Sequence, residues 1–252
     1  MRVVVIGATG LIGSRIVAGL RDHGVDVVPV SRADGVDVTT GEGLARALGG
    51  AEVVVDATDS PSHVEAASVD FFNTATRNLL RAAMAAGAEH YVMLSVVGAT
   101  QAPTGYFRAK VLQEELVRRS PMPHSIVRAA PLFESVDADC RSVLGGGSVH
   151  VTPAWVRPVS ADDVAGTVAR TVVGGPRFGA LEVVGPEEYR LDDLSARLLA
   201  ARGDVREVIT DPAALFLGVP LLLWTLLPES GAQVTDETVA QWLARRKQSA
   251  DA

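Results

Sequence analysis

The stretch GATGLIG at residues 7–13 decides the fold of this chain. It directly follows the apolar run at residues 3–6 and opens a segment with the composition of an amphipathic helix. Gly7 allows a tight turn, Gly10 allows close approach of a ligand to the backbone, and Gly13 allows the helix to pack closely on the strand. The unpaired N–H groups and positive dipole at a helix start attract anions. The stretch therefore predicts a strand, a phosphate-binding turn and a helix in succession.

Short β-branched runs alternate with longer segments rich in Ala, Leu and Arg along the rest of the chain. This alternation predicts βαβ units, and the continuously apolar runs predict parallel strands covered by helices on both faces. We therefore expect an α/β fold with a doubly wound, Rossmann-like parallel sheet. The predicted strands are residues 3–6, 25–30, 53–57, 91–95, 125–128 and 181–184. The predicted helices are residues 11–23, 43–48, 70–86, 107–119, 161–173, 191–201 and 236–246.

The alternation of strands and helices is interrupted in two places. This suggests a single domain spanning residues 1–252 with a small C-terminal elaboration. We assign residues 1–130 mainly to a dinucleotide-binding core, and residues 131–158 and 186–230, rich in Pro and Gly, to substrate and lid segments. The most apolar stretch, residues 213–227, is shorter than the roughly 20 residues of a spanning helix and contains Pro220. We expect a core or lid helix pair there, and no membrane span.

Composition narrows the class of protein further. The chain has 252 residues, 48% of them hydrophobic, which suffices for a sizeable core, and its net charge of −7 provides no basic surface for nucleic acid. Cys140 is the only cysteine, so no intrachain disulfide can form, and a reducing compartment, the cytoplasm, is expected. The five histidines show no ligand spacing, so we expect no metal site.

The end of the second predicted strand bears on the choice of dinucleotide. NAD-binding versions of this fold carry an acidic residue about 20 positions after the glycine turn, which binds the ribose 2′-hydroxyl. Ser31 and Arg32 stand at that place in this chain. The planar guanidinium of Arg32 can grip a 2′-phosphate, so NADP(H) is favoured over NAD(H). Asp34 keeps NAD(H) open as an alternative.

Two further pairs of residues are expected along the cofactor groove. Asp37 and Val38 either end a third short strand, where the carboxylate could accept from the adenine amino group, or form a turn. Ala57 and Thr58 close the next strand beside the expected groove.

A tyrosine and a lysine one helical turn apart suggest proton chemistry. Tyr106 and Lys110 are four residues apart at the start of a predicted helix, so their side chains share one face. A carbonyl that accepts hydride also needs a proton, and a phenol with a pKa near ~10 supplies or takes one at neutral pH when an ammonium stabilises its phenolate. We expect Lys110 to lower the pKa of Tyr106 in this way and to hold the nicotinamide ribose.

Taken together, the motifs resemble those of the atypical short-chain dehydrogenase/reductases of the NmrA-like type. The resemblance covers about residues 1–199 and leaves the apolar region beyond Gly203 unmatched. It rests on GATGLIG at 7–13, Ser95, YFRAK at 106–110, EEL at 114–116, SIVRA at 125–129, PVSADDV at 158–164 and VVGP at 183–186.

The resemblance implies roles for individual residues. Tyr106 is implied as the proton donor, Lys110 as its partner and Ser95 as the serine that orients the substrate, although in extended relatives that serine can fall where Val97 stands here. Arg32 would hold the 2′-phosphate. The residues expected to bind the cofactor are Gly7, Thr9, Gly10, Leu11, Ile12, Gly13, Ser31, Arg32, Asp37, Val38, Ala57, Thr58 and Lys110.

These features together predict an NADPH-dependent oxidoreductase that reduces a carbonyl or conjugated double bond of a small apolar molecule. Two alternatives stay open: a non-catalytic NADP-binding redox sensor or regulator, and an isomerase or epimerase that retains its dinucleotide. A homodimer through the helices after the fourth and fifth predicted strands is a further expectation.

Overall fold

The computed structural model describes residues 1–102, 104–142 and 147–250. The strands in this part of the chain are β1 Arg2–Ile6, β2 Asp26–Val30, β3 Val53–Asp56, β4 His90–Val96, β5 His124–Ala129, β6 Val149–Val151, β7 Trp155–Val156, β8 Gly179–Val184, β9 Tyr189–Arg190, β10 Val208–Thr210 and β11 Gln233–Val234. Seven of them form one sheet in the order β11-β8-β5-β4-β3-β1-β2, and all neighbouring pairs are parallel. This topology confirms the predicted doubly wound, Rossmann-like α/β fold.

Helices connect the strands and cover both faces of the sheet. They are α1 Leu11–Asp22, α2 Leu44–Ala47, α3 Glu65–Ala85, α4 Gly105–Arg119, α5 Phe133–Ser142, α6 Ala161–Gly174, α7 Leu191–Ala201 and α8 Val239–Ala250, with a short 3₁₀ helix at Arg32–Asp34. Alternate residues of β1 point to opposite faces: Val3 packs with α1 and α6, and Val4 packs with α2, α3 and α4. Both valines are fully buried, as expected for a central strand of a covered parallel sheet.

A third apolar cluster lies beside the carboxyl ends of the strands and holds the C-terminal elaboration together. It joins α5, α7 and α8 to the small strands β6 and β7. Phe133 and Trp242 pack against each other within it, with ring centroids 5.5 Å apart. The elaboration therefore has its own buried core next to the edge of the sheet where ligands bind in open α/β folds.

The stretch at residues 213–227 differs from the expectation of a helix pair. It consists of turns and isolated bridges, among them an antiparallel bridge from Phe216 to Val219 and a parallel bridge from Leu226 to Val156. Leu217 and Gly218 have positive φ angles, which an α-helix cannot contain, and Pro220 has no N–H to donate. The helix-pair prediction was wrong because it relied on apolar composition and gave too little weight to Gly218 and Pro220, which disfavour a helix.

Asp37 and Val38 form the turn, not the third short strand. The Asp37 carboxylate accepts hydrogen bonds from the backbone N and the hydroxyl of Thr39, at 2.7 and 2.6 Å. This local capping competes with strand pairing. Within the expected substrate segment 131–158, residues 143–146 lie outside the described part of the chain.

Candidate active site

The glycine turn has the geometry of a backbone cradle. Gly7 has a φ of +80°, and a Cβ on it would lie 2.6 Å from the carbonyl oxygen of Ala57. A Cβ on Gly13 would lie only 2.2 Å from the carbonyl oxygen of Gly7. Gly10 is the N-cap of α1, and no side chain among the described residues caps this helix. The first N–H groups of α1 are therefore available to an anionic group that approaches the glycine backbone.

The loop after β2 brings Ser31, Arg32 and Asp34 together. The backbone N and the hydroxyl of Ser31 both donate to Asp34 Oδ2, each at 2.8 Å. These bonds lower the pKa of Asp34 and tie its carboxylate to the loop itself. Arg32 is exposed and forms no salt bridge within the described ranges. The guanidinium of Arg32, at the position where the sequence predicts a 2′-phosphate, thus has no salt bridge among the described residues. The carboxylate of Asp34, which kept NAD(H) open, is hydrogen-bonded within the loop.

The expected adenine end lies one turn further along. The pKa of Asp37 is lowered, chiefly by the hydrogen bonds from Thr39 and in part by the charge of Arg32. The carbonyl oxygen of Val38 accepts a hydrogen bond from Asn78 of α3 at 2.9 Å. This contact fixes the turn against α3.

A cavity of about 270 Å³ extends from the start of α1 along the carboxyl ends of β3, β4 and β5. It brings together Gly10, Leu11, Ile12, Ala57, Thr58, Ser95, Tyr106 and Lys110 from the predicted site. The other predicted cofactor residues do not line it: Gly7, Thr9 and Gly13 lie in the glycine turn and α1, and Ser31, Arg32, Asp37 and Val38 follow strand β2. Segments 131–158 and 186–230 both contribute to the wall, through Leu132, Ser135, Asp139, Phe216, Leu217 and Leu226.

Tyr106 lines this cavity but its hydroxyl has a partner that the sequence did not indicate. The hydroxyl donates to Asp59 Oδ1 at 2.7 Å. Burial, followed by the negative charge and hydrogen bond of Asp59, raises the pKa of Tyr106 well above its usual value. The phenol is therefore held protonated. The expectation that Lys110 lowers the pKa of Tyr106 is contradicted.

Lys110 is buried and points its ammonium at other groups. Its Nζ donates to the carbonyl oxygen of Leu94 at 2.8 Å and to Oε1 of Gln113 at 2.6 Å, and lies 4.3 Å from the ring centroid of Phe72. Burial lowers the pKa of Lys110, although the charges of Asp59 and nearby carboxylates oppose this shift. In this arrangement Lys110 anchors the carboxyl end of β4 instead of stabilising a phenolate.

Ser95 also lines the cavity with its hydroxyl proton engaged. It donates to Glu114 Oε1 at 2.6 Å, and Glu114 forms a bidentate pair with Arg128 at 2.9 and 2.8 Å. Burial disfavours ionisation of Glu114, but the hydrogen bonds from Arg128 and Ser95 outweigh it and lower the pKa of the carboxyl. Val97, at the alternative serine position, is buried and apolar. The described residues therefore present no hydroxyl at that position to orient a carbonyl.

Asp59 is the main residue that sequence reasoning missed. It lies just after β3, at the same edge of the sheet as the carboxyl ends of β4 and β5. Polar residues that follow parallel strands share this edge, and that rule could have indicated Asp59. Its contact with Tyr106, 47 positions later in the chain, has no local sequence signal.

The described residues hold neither a metal cluster nor a membrane-spanning helix. Within the described ranges, no group of three or more His, Cys, Asp or Glu side chains is placed to hold a metal ion. No helix among these residues combines the length and the apolar character needed to cross a membrane.

A family of known proteins matches most of this chain. The family described as NAD(P)H-binding matches residues 7–173, about two thirds of the chain. This chain belongs to the NAD(P)H-binding family. The match begins at the glycine turn and spans all the elements that line the cavity up to α6. It confirms the predicted resemblance to NAD(P)-binding proteins.

A curated relative and several solved structures are also similar to this chain. The relative is a chloroplastic divinyl chlorophyllide a 8-vinyl-reductase from Cucumis sativus, 24% identical over 224 residues; the match covers 73% of this chain and 52% of the relative. The chain thus spans about half the length of that protein.

Among solved structures, the NADPH complex of the quinone oxidoreductase QOR2 from Escherichia coli has a TM-score of 0.67 at 21% identity. The match covers 83% of this chain and 77% of the QOR2 chain. The dTDP-glucose 4,6-dehydratase DesIV from Streptomyces venezuelae has a TM-score of 0.74 at 20% identity, covering 97% and 95%. The UDP-glucose 4-epimerase from Thermus thermophilus has a TM-score of 0.70 at 19% identity, covering 98% and 93%. These similarities establish the shared fold.

Proposed function

We propose that this protein is an NADPH-dependent reductase that acts on a carbonyl or conjugated double bond of a small, mostly apolar molecule. The observation that carries the proposal is the continuous cavity that joins the start of α1 to Tyr106. One end is a backbone cradle suited to a pyrophosphate, and the other end holds a protonated phenol among apolar side chains. The quinone and vinyl reductases similar to this chain support reduction as the reaction class.

The residues present fit an NADP-type cofactor. A Cβ on Gly7 or Gly13 would collide with the backbone, so these glycines are required for the turn, and the uncapped first turn of α1 would receive the pyrophosphate. Arg32 would hold the 2′-phosphate, while Asp37 and Val38 would lie beside the adenine. Thr9, Leu11, Ile12, Ala57 and Thr58 would complete the groove. When bound, NADPH supplies a hydride.

For a carbonyl substrate, the chain itself has to supply the proton. As hydride adds to the carbonyl carbon and the C=O π bond breaks, Tyr106 gives its hydroxyl proton to the developing alkoxide, forming an alcohol. A raised pKa suits this direction because the phenol stays protonated at neutral pH and an alkoxide is a stronger base than a phenolate. Asp59 is exposed and bonded to the same hydroxyl, so it connects Tyr106 with solvent for reprotonation.

The test is consumption of NADPH with a panel of aldehydes, ketones, quinones and enones. We expect Tyr106→Phe to lower kcat/KM roughly a hundredfold or more, the usual contribution of a positioned proton donor. Tyr189→Phe is the matched control, since Tyr189 donates to Glu187 and lines no part of the cavity. Full turnover by Tyr106→Phe would overturn the proposed proton donor.

A non-catalytic NADP-binding regulator is the second candidate, and one observation favours it. The hydroxyl of Tyr106, the ammonium of Lys110 and the hydroxyl of Ser95 all donate to groups within the chain. A site built only to bind the dinucleotide has no need to release these donors to a substrate. Tight NADPH binding with no consumption by any member of the panel would favour the regulator.

The place in the cell is a further proposal. A single buried cysteine suits a reducing compartment such as the cytoplasm. Fractionation of the cells that make the protein is the direct measurement.

A further inference from the structure

A second cavity of about 260 Å³ lies directly behind the first. The two cavities have three lining residues in common, Asp139, Phe216 and Leu217. These residues therefore form the wall between the compartment that holds Tyr106 and a compartment that the proposed reaction does not use.

Leu217 is held in this wall by an unusual hairpin turn. Phe216 and Val219 exchange two backbone hydrogen bonds, both at 3.0 Å, around a two-residue loop. Both loop residues have positive φ angles, +50° at Leu217 and +76° at Gly218. Asn-Gly is the pair that favours such a turn, because glycine and asparagine tolerate the left-handed region and leucine rarely enters it. A leucine kept in this conformation points to a role for its side chain.

The surroundings of Leu217 indicate what that role is. Its half-buried side chain packs against the cluster formed by Phe72, Tyr106 and Ala109. Leu217 therefore packs on the cluster that contains the proposed proton donor and also lines the second cavity. The strained turn places an apolar divider between the two spaces.

The second cavity has a different chemical character from the first. Its lining includes the polar side chains of His63, Asp139, His150, Thr152 and Ser195. Within the described part of the chain, neither lysine nor arginine lines it. A carboxylate and two imidazoles suit hydroxyl, amide or amine groups and match an anionic group poorly.

We propose that the two cavities form one substrate site of two compartments, with Leu217 as the specificity-determining residue between them. The ligand is an elongated molecule. Its reducible apolar end lies beside Tyr106, and its uncharged or positively charged polar end enters the second compartment past Leu217. The reduction of the end beside Tyr106 rests on the proposed function, whereas the two-compartment shape of the site does not.

The first test measures NADPH-dependent reduction of a series of ω-hydroxyalkanals of increasing length. The quantity compared is kcat/KM for the longest member divided by kcat/KM for the shortest. We expect this ratio to be at least tenfold higher in Leu217→Asn than in wild type, and lower in Leu217→Phe than in wild type. Leu222→Asn is the matched control, since Leu222 lies on the same loop, is 77% exposed and lines neither cavity. Ratios within twofold of wild type in both Leu217 variants would overturn the proposal.

Two more measurements test the two-compartment site independently of a folding defect and of catalytic turnover. Leu217→Asn should unfold at a temperature no lower than wild type, because Asn-Gly relieves the turn. Nile red, an elongated neutral fluorophore, should bind several times more tightly to Leu217→Asn and more weakly to Leu217→Phe. If wild type reduces none of the aldehydes, ketones, quinones and enones, the proposed function fails, while this order of affinities upholds the two-compartment site. Equal affinities in all variants would overturn it.

Discussion

At the scale of single residues, the contact between Tyr106 and Asp59 determines how the site handles protons. The hydroxyl of Tyr106 donates to the carboxylate at 2.7 Å, and this carboxylate helps to raise the pKa of the phenol. The consequence depends on the direction of the reaction. A proton donor benefits from remaining protonated, whereas a base for the reverse oxidation must first lose its proton.

Asp59→Asn tests this contact. Removal of the negative charge destabilises the protonated phenol relative to the phenolate, so the pKa of Tyr106 should fall while burial still keeps it raised. We expect the rising limb of the pH profile of kcat/KM for alcohol oxidation with NADP⁺ to move to lower pH. Asp70→Asn, on α3, serves as a control for loss of one charge. An unchanged profile in Asp59→Asn would contradict the assigned cause.

The same residues show how far sequence reasoning reaches at this scale. The four-residue spacing placed Tyr106 and Lys110 on one helix face, and both line the cavity. Their hydrogen-bond partners could not be deduced, since Asp59 and the carbonyl oxygen of Leu94 come from loops and strands distant in the chain. The spacing of two residues in a helix determines whether their side chains lie on the same face. Tertiary packing determines which groups those side chains contact.

At the scale of elements, α1 contains two glycines under different constraints. Gly13 packs so closely on the turn that a Cβ would lie 2.2 Å from a backbone oxygen, whereas a Cβ on Gly19 of the same helix would meet no atom within 4 Å. The two glycines thus differ in packing while sharing one helix.

This difference gives a matched pair of substitutions. Gly19→Ala should raise the free energy of unfolding by about 0.5–1 kcal/mol, because alanine favours the helix over glycine. Gly13→Ala should lower it and weaken NADPH binding at least tenfold, because the turn must shift to accept the methyl group. Chemical denaturation and NADPH titration measure both effects. Equal stabilisation by the two substitutions would contradict the close approach of α1 to the turn.

The elements also separate what the sequence predicted well from what it did not. The strands and helices around the glycine turn were predicted because hydrophobic periodicity and glycine caps act locally. Residues 213–227 were predicted wrongly as helices, since they form a series of turns from which Leu215, Phe216, Leu217 and Leu226 line the two cavities. In that region long-range packing overrides composition.

At the scale of the whole molecule, one histidine buried in the sheet links stability to pH. His90 on β4 has its pKa lowered to about 4, first by burial and then by the neighbouring His124. An unfolded chain takes up a proton near the usual pKa of 6.5, whereas the folded chain holds His90 neutral until about pH 4. The stability contributed by neutral His90 is therefore complete above pH 6.5 and is lost as the pH falls towards 4.

We expect the free energy of unfolding to fall across this window by up to about 1.4 kcal/mol per pH unit for one such group. His90→Gln should flatten the decline, because glutamine takes up no proton. His23→Gln, an exposed change at the end of α1, should leave it as in wild type. Urea denaturation at several pH values between 7 and 4 measures the slopes. A His90→Gln slope equal to that of wild type would assign the decline to other groups.

The proposed activity requires that the glycine turn bind NADPH and that Arg32 recognise its 2′-phosphate. The most direct measurement is calorimetric titration with NADPH and NADH of wild type, Arg32→Ala and the control Arg21→Ala, an exposed arginine at the far end of α1. Wild type should prefer NADPH, and Arg32→Ala should weaken NADPH binding roughly ten- to a hundredfold, the range for a charge-assisted hydrogen bond, with little effect on NADH. Arg21→Ala should match wild type. Absence of binding to either dinucleotide, or tighter binding of NADH than of NADPH by wild type, would contradict the account.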